Sequence, residues 1–134
     1  MFTEISILNG GTQLIRTDTI IRFRPSFGSF EPPNATALDY AKQRLYSADS
    51  PEKIVEKIGS ALAIAALTTP NKLPLYVDAA KVIDIASPIP EHHHPKARAV
   101  IRLEPNIRVQ VRETPKQAER KIAEALGQLA EVTS

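Results

Sequence analysis

The residues of this sequence best suited to chemistry are three consecutive histidines in a proline-flanked segment. His92, His93 and His94 follow Glu91 and precede Pro95. Successive side chains of an extended chain point to opposite sides, so only His92 and His94 can converge on one metal ion. The third ligand would have to come from elsewhere. The pattern is also typical of a solvent-exposed loop tip, and we favour that interpretation over a metal site and expect no cofactor.

Other residue types that carry catalysis are scattered along the chain. A serine or threonine nucleophile needs a nearby base, but all the histidines lie in that one segment. The sequence Asn9-Gly10-Gly11 precedes a strand-like segment, whereas a phosphate-binding glycine loop precedes a helix. Several aspartates occur singly, without a spacing that pairs two carboxylates: Asp18, Asp39, Asp78 and Asp84. We therefore predict a protein that is not an enzyme.

Two strand-like segments near the C-terminal end predict a hairpin. Residues 97–103 and 107–113 alternate apolar and polar side chains. A three-residue loop at 104–106 places all their apolar residues on one face, whereas a two-residue loop would set Arg102 opposite Val109. The pattern therefore favours the three-residue loop.

The other face of this hairpin carries four arginines. The register sets Arg102 opposite Arg108 and Arg98 opposite Arg112, and directly opposed like charges destabilise a strand pair. The first candidates to neutralise them are Asp84 on the neighbouring strand, together with Glu113 or acidic residues of a helix. The alternative is an anionic partner, either an acidic protein surface or nucleic acid. The hairpin has no aromatic residue for base stacking, so nucleic acid is the less favoured partner.

A loop rich in proline and glycine, PSFGSFEPP at 25–33, contains two of the four phenylalanines. Phe27 and Phe30 can fold back to plug the end of the sheet, which is the interpretation we favour. They can also anchor a partner, because aromatic side chains supply large contact area at low entropic cost.

Composition indicates a globular chain with an ordinary core. The 134 residues are 43% hydrophobic and 24% charged, with a net charge of +2 and no cysteine. The start of the sequence lacks the basic and apolar regions of a signal peptide. The most apolar run, at 61–67, is far shorter than the roughly 20 residues of a membrane span. We expect a cytoplasmic protein without a membrane partner.

Two similar segments, SPEKIVEKIGSAL at 50–62 and TPKQAERKIAEAL at 114–126, each predict a helix. Ser50 and Thr114 are favourable N-cap residues, and a proline follows each at the first helical position. The first helix is predicted to continue through the apolar run at 61–67. Apolar residues recur at spacings of three and four, at Ile54, Val55, Ile58, Leu62 and Ala65 in the first and Ala118, Ile122, Ala125, Leu126 and Leu129 in the second.

Strand-like segments precede each predicted helix in the same order. The early strand at 19–24 matches 81–86, and the helix phrase at 50–62 matches 114–126, so the offset between the halves is nearly constant. We predict an α+β fold of two pseudo-repeats, residues 1–69 and 70–134, packed as one domain. Each would be a short curled antiparallel sheet, barrel-like, followed by a C-terminal helix.

The first half resembles a known family. The residues that carry the resemblance are LNG at 8–10, DTII at 18–21 and SPEKIVEKI at 50–58. They are similar to those of the small bacterial flagellar and swarming-motility proteins. That resemblance implies a short module of strands with a terminal helix, and it implies no catalytic residues.

The function we predict is protein binding. A duplicated module without catalytic groups suits a protein-protein binding or assembly role, with homo-oligomers as the default partners. The alternative is a nucleic-acid-binding module that uses Arg98, Arg102, Arg108 and Arg112.

Overall fold

The computed structural model describes the backbone of residues 1–133 and the side chains of residues 1–127. It has an α+β fold, and neither helix of the described part is long and apolar enough to cross a membrane. The helices are α1 Pro51–Ile58 and α2 Pro115–Thr133, and three 3₁₀ turns lie at Thr17–Thr19, Gly59–Ala61 and Ala79–Lys81. The strands are β1 Phe2–Ser6, β2 Thr12–Arg16, β3 Ile20–Pro25, β4 Thr36–Tyr40, β5 Gln43–Ser47, β6 Ile64–Thr68, β7 Pro74–Asp78, β8 Val82–Ala86, β9 Ala99–Leu103 and β10 Ile107–Val111.

The strands form three antiparallel sheets. Their orders are β1-β2, β5-β4-β3-β7-β6 and β10-β9-β8. The prediction of two barrel-like sheets, one in each half, is wrong: none of the described sheets closes into a barrel. The reason is the pairing of β3 with β7, which sets Arg22 opposite Val77 and Phe23 opposite Tyr76. This pairing joins strands from both halves of the chain into one sheet.

Backbone hydrogen bonds also connect the three sheets to one another. The Ala48 amide donates to the Ser6 carbonyl at 2.9 Å, which ties the end of β5 to β1. In the same way the Arg112 amide donates to the Thr68 carbonyl at 2.8 Å, which ties the end of β10 to β6. The strands are therefore neighbours in one series that begins at β2 and ends at β8. The outer edges of these two strands are its open ends.

The first helix is shorter than predicted. It ends at Ile58, and Gly59 adopts a φ of 58°, a conformation that favours glycine and stops the helix. The apolar run predicted as its last turns instead contains strand β6. A short apolar run does not reveal its period, and pairing with β7, which sets Leu67 opposite Leu75, determines the strand conformation here.

The N-caps of both helices are confirmed. The Ser50 hydroxyl accepts a hydrogen bond from the Lys53 amide at 3.1 Å. The Thr114 hydroxyl accepts one from the Gln117 amide at 3.2 Å, and the Gln117 side chain accepts the Thr114 amide in return at 3.0 Å. Each helix therefore begins where its sequence predicts.

The apolar side chains form two cores. The first lies under α1 and includes Ile5, Ile15, Ile20, Phe23, Leu38, Ile54 and Ile58. The second lies under α2 and includes Ala65, Leu67, Val77, Ile101, Val109, Ala118 and Ile122. Ile21, on β3, packs in the second core. On α2, Leu126 is 40% exposed, and Leu129 lies outside the described side chains.

Candidate binding surfaces

The arginine-bearing hairpin has the predicted register. Arg102 lies opposite Arg108, and the three-residue loop connects β9 to β10. The Arg102 guanidinium donates two hydrogen bonds to one Asp84 oxygen, from Nε at 2.9 Å and from an Nη atom at 2.5 Å. The expectation that Asp84 neutralises part of this face is therefore confirmed for Arg102.

The structure places Arg108 and Arg112 on one face of β10, next to different clefts. Among the described side chains, no ion pair involves Arg98, Arg108 or Arg112. Arg108 lines a cleft of about 220 Å³ together with Phe27 and strand β3. Arg112 lines a separate groove beside α2, with Arg120 and Lys72.

A second charged network, which the sequence analysis missed, lies on strands β3, β4 and β5 of the five-stranded sheet. Asp39 on β4 accepts hydrogen bonds from Arg22 Nε at 2.5 Å and from Arg44 Nε at 2.7 Å. Burial raises the pKa of Asp39, but the hydrogen bonds and charges of the two arginines outweigh it and lower that pKa. Asp39 is thus a structural carboxylate, held ionised between two cations.

Glu31 extends this network into the proline-rich loop. Its two carboxylate oxygens accept both terminal nitrogens of Arg24, at 2.8 and 3.0 Å. It also accepts the Phe27 amide at 2.7 Å and the Tyr46 hydroxyl at 3.2 Å. The Arg24 hydrogen bonds lower the pKa of Glu31 to about 2, although burial opposes them. Glu31 therefore anchors the loop and cannot serve as a proton donor near neutral pH.

The two charged faces occupy matching positions in the two halves. In the first, Asp39 on the middle strand lies between Arg22 and Arg44. In the second, Arg102 on the middle strand pairs with Asp84 on one side and faces Arg108 on the other. The first face has an acid in the centre, whereas the second has an arginine there and an aspartate on one side. Comparing the charged residues of the aligned strands, and not only the order of the strands, would have indicated the first network from sequence.

The two loop phenylalanines point to solvent. Phe27 is 55% exposed and Phe30 is fully exposed, although the Arg24 and Glu31 contacts hold the loop between them. The prediction that they plug the end of the sheet is therefore wrong. Prolines and the ion pair keep the loop turned outward, away from a core that is already filled by Phe23.

The histidine segment forms a tight, exposed loop. His93 Nδ1 accepts the Ile89 amide at 2.7 Å, and His94 Nδ1 accepts the Lys96 amide at 3.0 Å. Through residue 127, the structure contains no group of three histidine, cysteine, aspartate or glutamate side chains placed to hold a metal ion. The imidazoles on this loop act as backbone hydrogen-bond acceptors, and His92 is exposed beside them.

Apolar side chains are exposed at both open ends of the strand series. On the hairpin β1-β2, Phe2 is 61% and Leu14 is 66% exposed. On β8, Ile83 is 45% exposed. Each edge also presents unpaired backbone groups, since β2 and β8 have one neighbouring strand each in the described part. Apolar side chains beside unpaired backbone groups are the features through which a strand of another chain is bound.

No family model, curated protein or solved structure matches this chain. Its function must therefore be inferred from these surfaces alone. The carboxylates with the most contacts, Asp39 and Glu31, are saturated by arginines. The two strand edges combine exposed apolar side chains with backbone groups that lack a strand partner within the described chain.

Proposed function

We propose that this protein is a non-enzymatic binding and assembly module that contacts protein partners through its two open strand edges. The observation that carries the proposal is the exposure of Leu14 and Ile83 on those edges. Elsewhere in the described part, every buried side-chain nitrogen or oxygen has a hydrogen-bond partner. A chain that satisfies its interior so fully, and still exposes large apolar residues beside unpaired backbone, is suited to association.

An internal duplication whose second copy begins just ahead of β6 supports an assembly role, because the two copies make equivalent contacts. Asp49 accepts the Ser6 amide at 3.0 Å and Lys57 Nζ at 2.8 Å. At the equivalent place in the second half, another carboxylate makes the same two contacts: Glu113 accepts the Thr68 amide at 3.0 Å and Lys121 Nζ at 2.9 Å. In both halves the cluster ties the first strand to the helix.

The first turns of the two halves also correspond. The Ile7 amide donates to the Gly11 carbonyl at 3.0 Å, and the Thr69 amide donates to the Leu73 carbonyl at 2.8 Å. Both turns contain a residue with positive φ, Gly10 at 101° and Lys72 at 67°. These correspondences support two copies of one module that divide just ahead of β6, rather than after residue 69. The resemblance of the first copy to the motility family stays a prediction.

Duplication bears on function because the two modules already bind each other through a strand edge. The β3-β7 pairing is a contact between modules, and it uses main-chain hydrogen bonds with stacked side chains. A surface that binds another module within the chain is a natural surface for binding outside it.

The nucleic-acid alternative has less support. Arg102 is neutralised by Asp84, and Arg108 and Arg112 line separate clefts. Titration with random oligonucleotides at two salt concentrations distinguishes the two functions. Phosphate binding would weaken steeply as salt rises, whereas an assembly module would bind no oligonucleotide at either concentration.

The proposed function is tested by comparative capture from the cells that produce the protein. Tagged wild-type protein is compared with Leu14→Lys and Ile83→Lys, and Ile89→Lys is the control because it changes an exposed isoleucine off the edges, in the loop before β9. We expect a protein, including untagged copies of this chain, to be retained by the wild type and the control and lost from both edge variants. Identical retention by all four proteins would contradict the proposal.

A further inference from the structure

We propose that the partner at these edges is a second copy of this chain. In this arrangement β2 of one copy pairs antiparallel with β8 of the other, with Ile15 opposite Asp84 and Leu14 opposite Ile85. The inference rests on the proposed function, and it adds the identity of the partner and the register of the contact.

The register comes from the joint that the chain forms internally. Within the chain, β3 pairs antiparallel with β7, and Arg22 lies opposite Val77. Strand β8 holds the position of β3 in the second module, so Asp84 corresponds to Arg22. Strand β2 holds the position of β7 in the first module, so Ile15 corresponds to Val77. The equivalent joint therefore sets Asp84 opposite Ile15, and the unpaired edges of β8 and β2 are the two sides of a joint that the chain makes only once.

Side chains on the unpaired edges of β2 and β8 are less buried than their counterparts at the β3-β7 joint. This difference is expected if the two edges lack their partner strands. Ile21 on β3 is 2% exposed because it packs against the second core across the joint. Its counterpart on β8, Ile83, is 45% exposed. On the other strand, Tyr76 is partly buried against Phe23, whereas its counterpart Leu14 is 66% exposed. The same positions are thus covered where the joint is formed and exposed where it is open.

The two edges also suit each other chemically. The register sets Leu14 against Ile85, an apolar pair in the place of the Phe23 and Tyr76 stack. Neither β2, with sequence TQLIR, nor β8, with sequence VIDIA, contains a proline, so each edge can complete a ladder of backbone hydrogen bonds. Because one chain carries both complementary edges, a second copy can pair its β8 with β2 of the first.

Two copies related by a two-fold axis form this joint twice, because each copy supplies one β2 and one β8. The competing arrangement is closure within one chain. Lys81, just before β8, donates through Nζ at 2.7 Å to the carbonyl of Ile20, four residues after the end of β2, yet β2 and β8 remain unpaired. Because β2 and β8 do not pair with each other within one chain, their edges are available to a second copy.

The first test is the mass of the purified protein by light scattering after size-exclusion chromatography. We expect at least twice the 14.7 kDa of the chain for the wild type and for Ile89→Lys. Ile83→Lys and Leu14→Lys should elute at the mass of one chain, because a lysine at the joint loses the apolar contact. Both side chains are exposed, so these variants should keep the wild-type circular dichroism spectrum. A wild type that stays at one chain mass at every concentration would overturn the inference.

The second test uses the absence of cysteine from the sequence. Leu14→Cys and Ile85→Cys proteins are mixed and oxidised, and a disulfide between the two different chains is expected. Thr12→Cys replaces Leu14→Cys in the off-register control, which should cross-link several-fold more slowly. A double variant carrying Leu14→Cys and Ile85→Cys that forms a disulfide within a single chain would overturn the inference in favour of closure.

Failure of this inference can be told apart from failure of the proposed function. If the purified chain is monomeric but the edge variants lose a different captured protein, the edges bind that protein and the second copy is excluded. If the edge variants lose nothing, both proposals fail.

Discussion

Phe23 and Tyr76 stack across the joint between the two halves of the chain, with ring centroids 5.3 Å apart and ring planes 20° apart. Phe23 is completely buried in the first core, and Tyr76 lies on β7, the strand that pairs with β3. The pair therefore packs the two halves of the chain together where β3 and β7 are paired.

We predict that these two rings are energetically coupled. Phe23→Leu, Tyr76→Leu and the double variant form a cycle, and the free energies of unfolding in urea give the coupling. We expect about 0.5 to 1.5 kcal/mol of interaction, because the stacking contact is lost with either ring.

Phe30→Leu is the matched control, because that ring is fully exposed. It should change stability by less than about 0.5 kcal/mol. Additive effects of the two core substitutions would mean that the rings are in contact without stabilising the joint.

Low pH should lower the free energy of unfolding, in part because Glu31 becomes protonated. Folding lowers the pKa of this carboxyl from 4.5 to about 2, so its contribution to stability is complete above about pH 4.5 and is lost as the pH falls towards 2. Glu31→Gln should therefore be less stable than the wild type at pH 7, by on the order of 1 kcal/mol or more. Urea unfolding measured between pH 3 and pH 7 should show the two stabilities converging at the acid end.

Glu56→Gln, which removes an exposed carboxylate of α1, is the control for this experiment. A gap between Glu31→Gln and the wild type that is the same at every pH would mean that the ionised form of Glu31 is not what stabilises the loop.

The opposed arginines of the second half should respond unequally to removal. Arg108 faces Arg102 without an acidic partner among the described side chains, so Arg108→Thr relieves repulsion and should raise stability by a few tenths of a kcal/mol. Arg102→Thr relieves the same repulsion but also loses the Asp84 ion pair, which is exposed and worth about 0 to 1 kcal/mol. Thermal unfolding at low salt should rank Arg108→Thr above Arg102→Thr.

The difference in stability between these two variants should become smaller at high salt, since the charges of Arg102 and Arg108 are accessible to solvent and are screened. If Arg108→Thr were instead less stable than the wild type, that arginine would have a stabilising partner, and its place in the cleft beside Phe27 would identify where to look.

The exchange of charges between the halves shows how one sheet face can be kept stable in two ways. Asp39 between Arg22 and Arg44 leaves the first face one positive charge in excess, as does Asp84 with Arg102 and Arg108 in the second. On the first face the buried acid, Asp39, lies in the centre, where both arginines contact it. On the second face Asp84 pairs with Arg102, and Arg108 lies outside this pair.

Short-range patterns predicted several features of this protein correctly. The caps at Ser50 and Thr114, and the three-residue loop that aligns Arg102 with Arg108, each depend on residues a few positions apart. Such features are set by backbone conformation and alternation, which the local sequence carries. The Arg102 and Asp84 ion pair followed from the same alternation, extended by one strand.

The sequence by itself determined the α+β class, the helix starts and the register of the last hairpin, because these depend on neighbours along the chain. Tertiary structure alone decided that residues 64–68 pair as a strand, that β3 joins β7, and that β2 and β8 remain as open edges. An apolar run such as ALAIAAL has no period of its own, so the partner strand decides its conformation. Which edges stay unpaired depends on how the two halves of the chain pack together, and no short stretch of sequence within either half determines that.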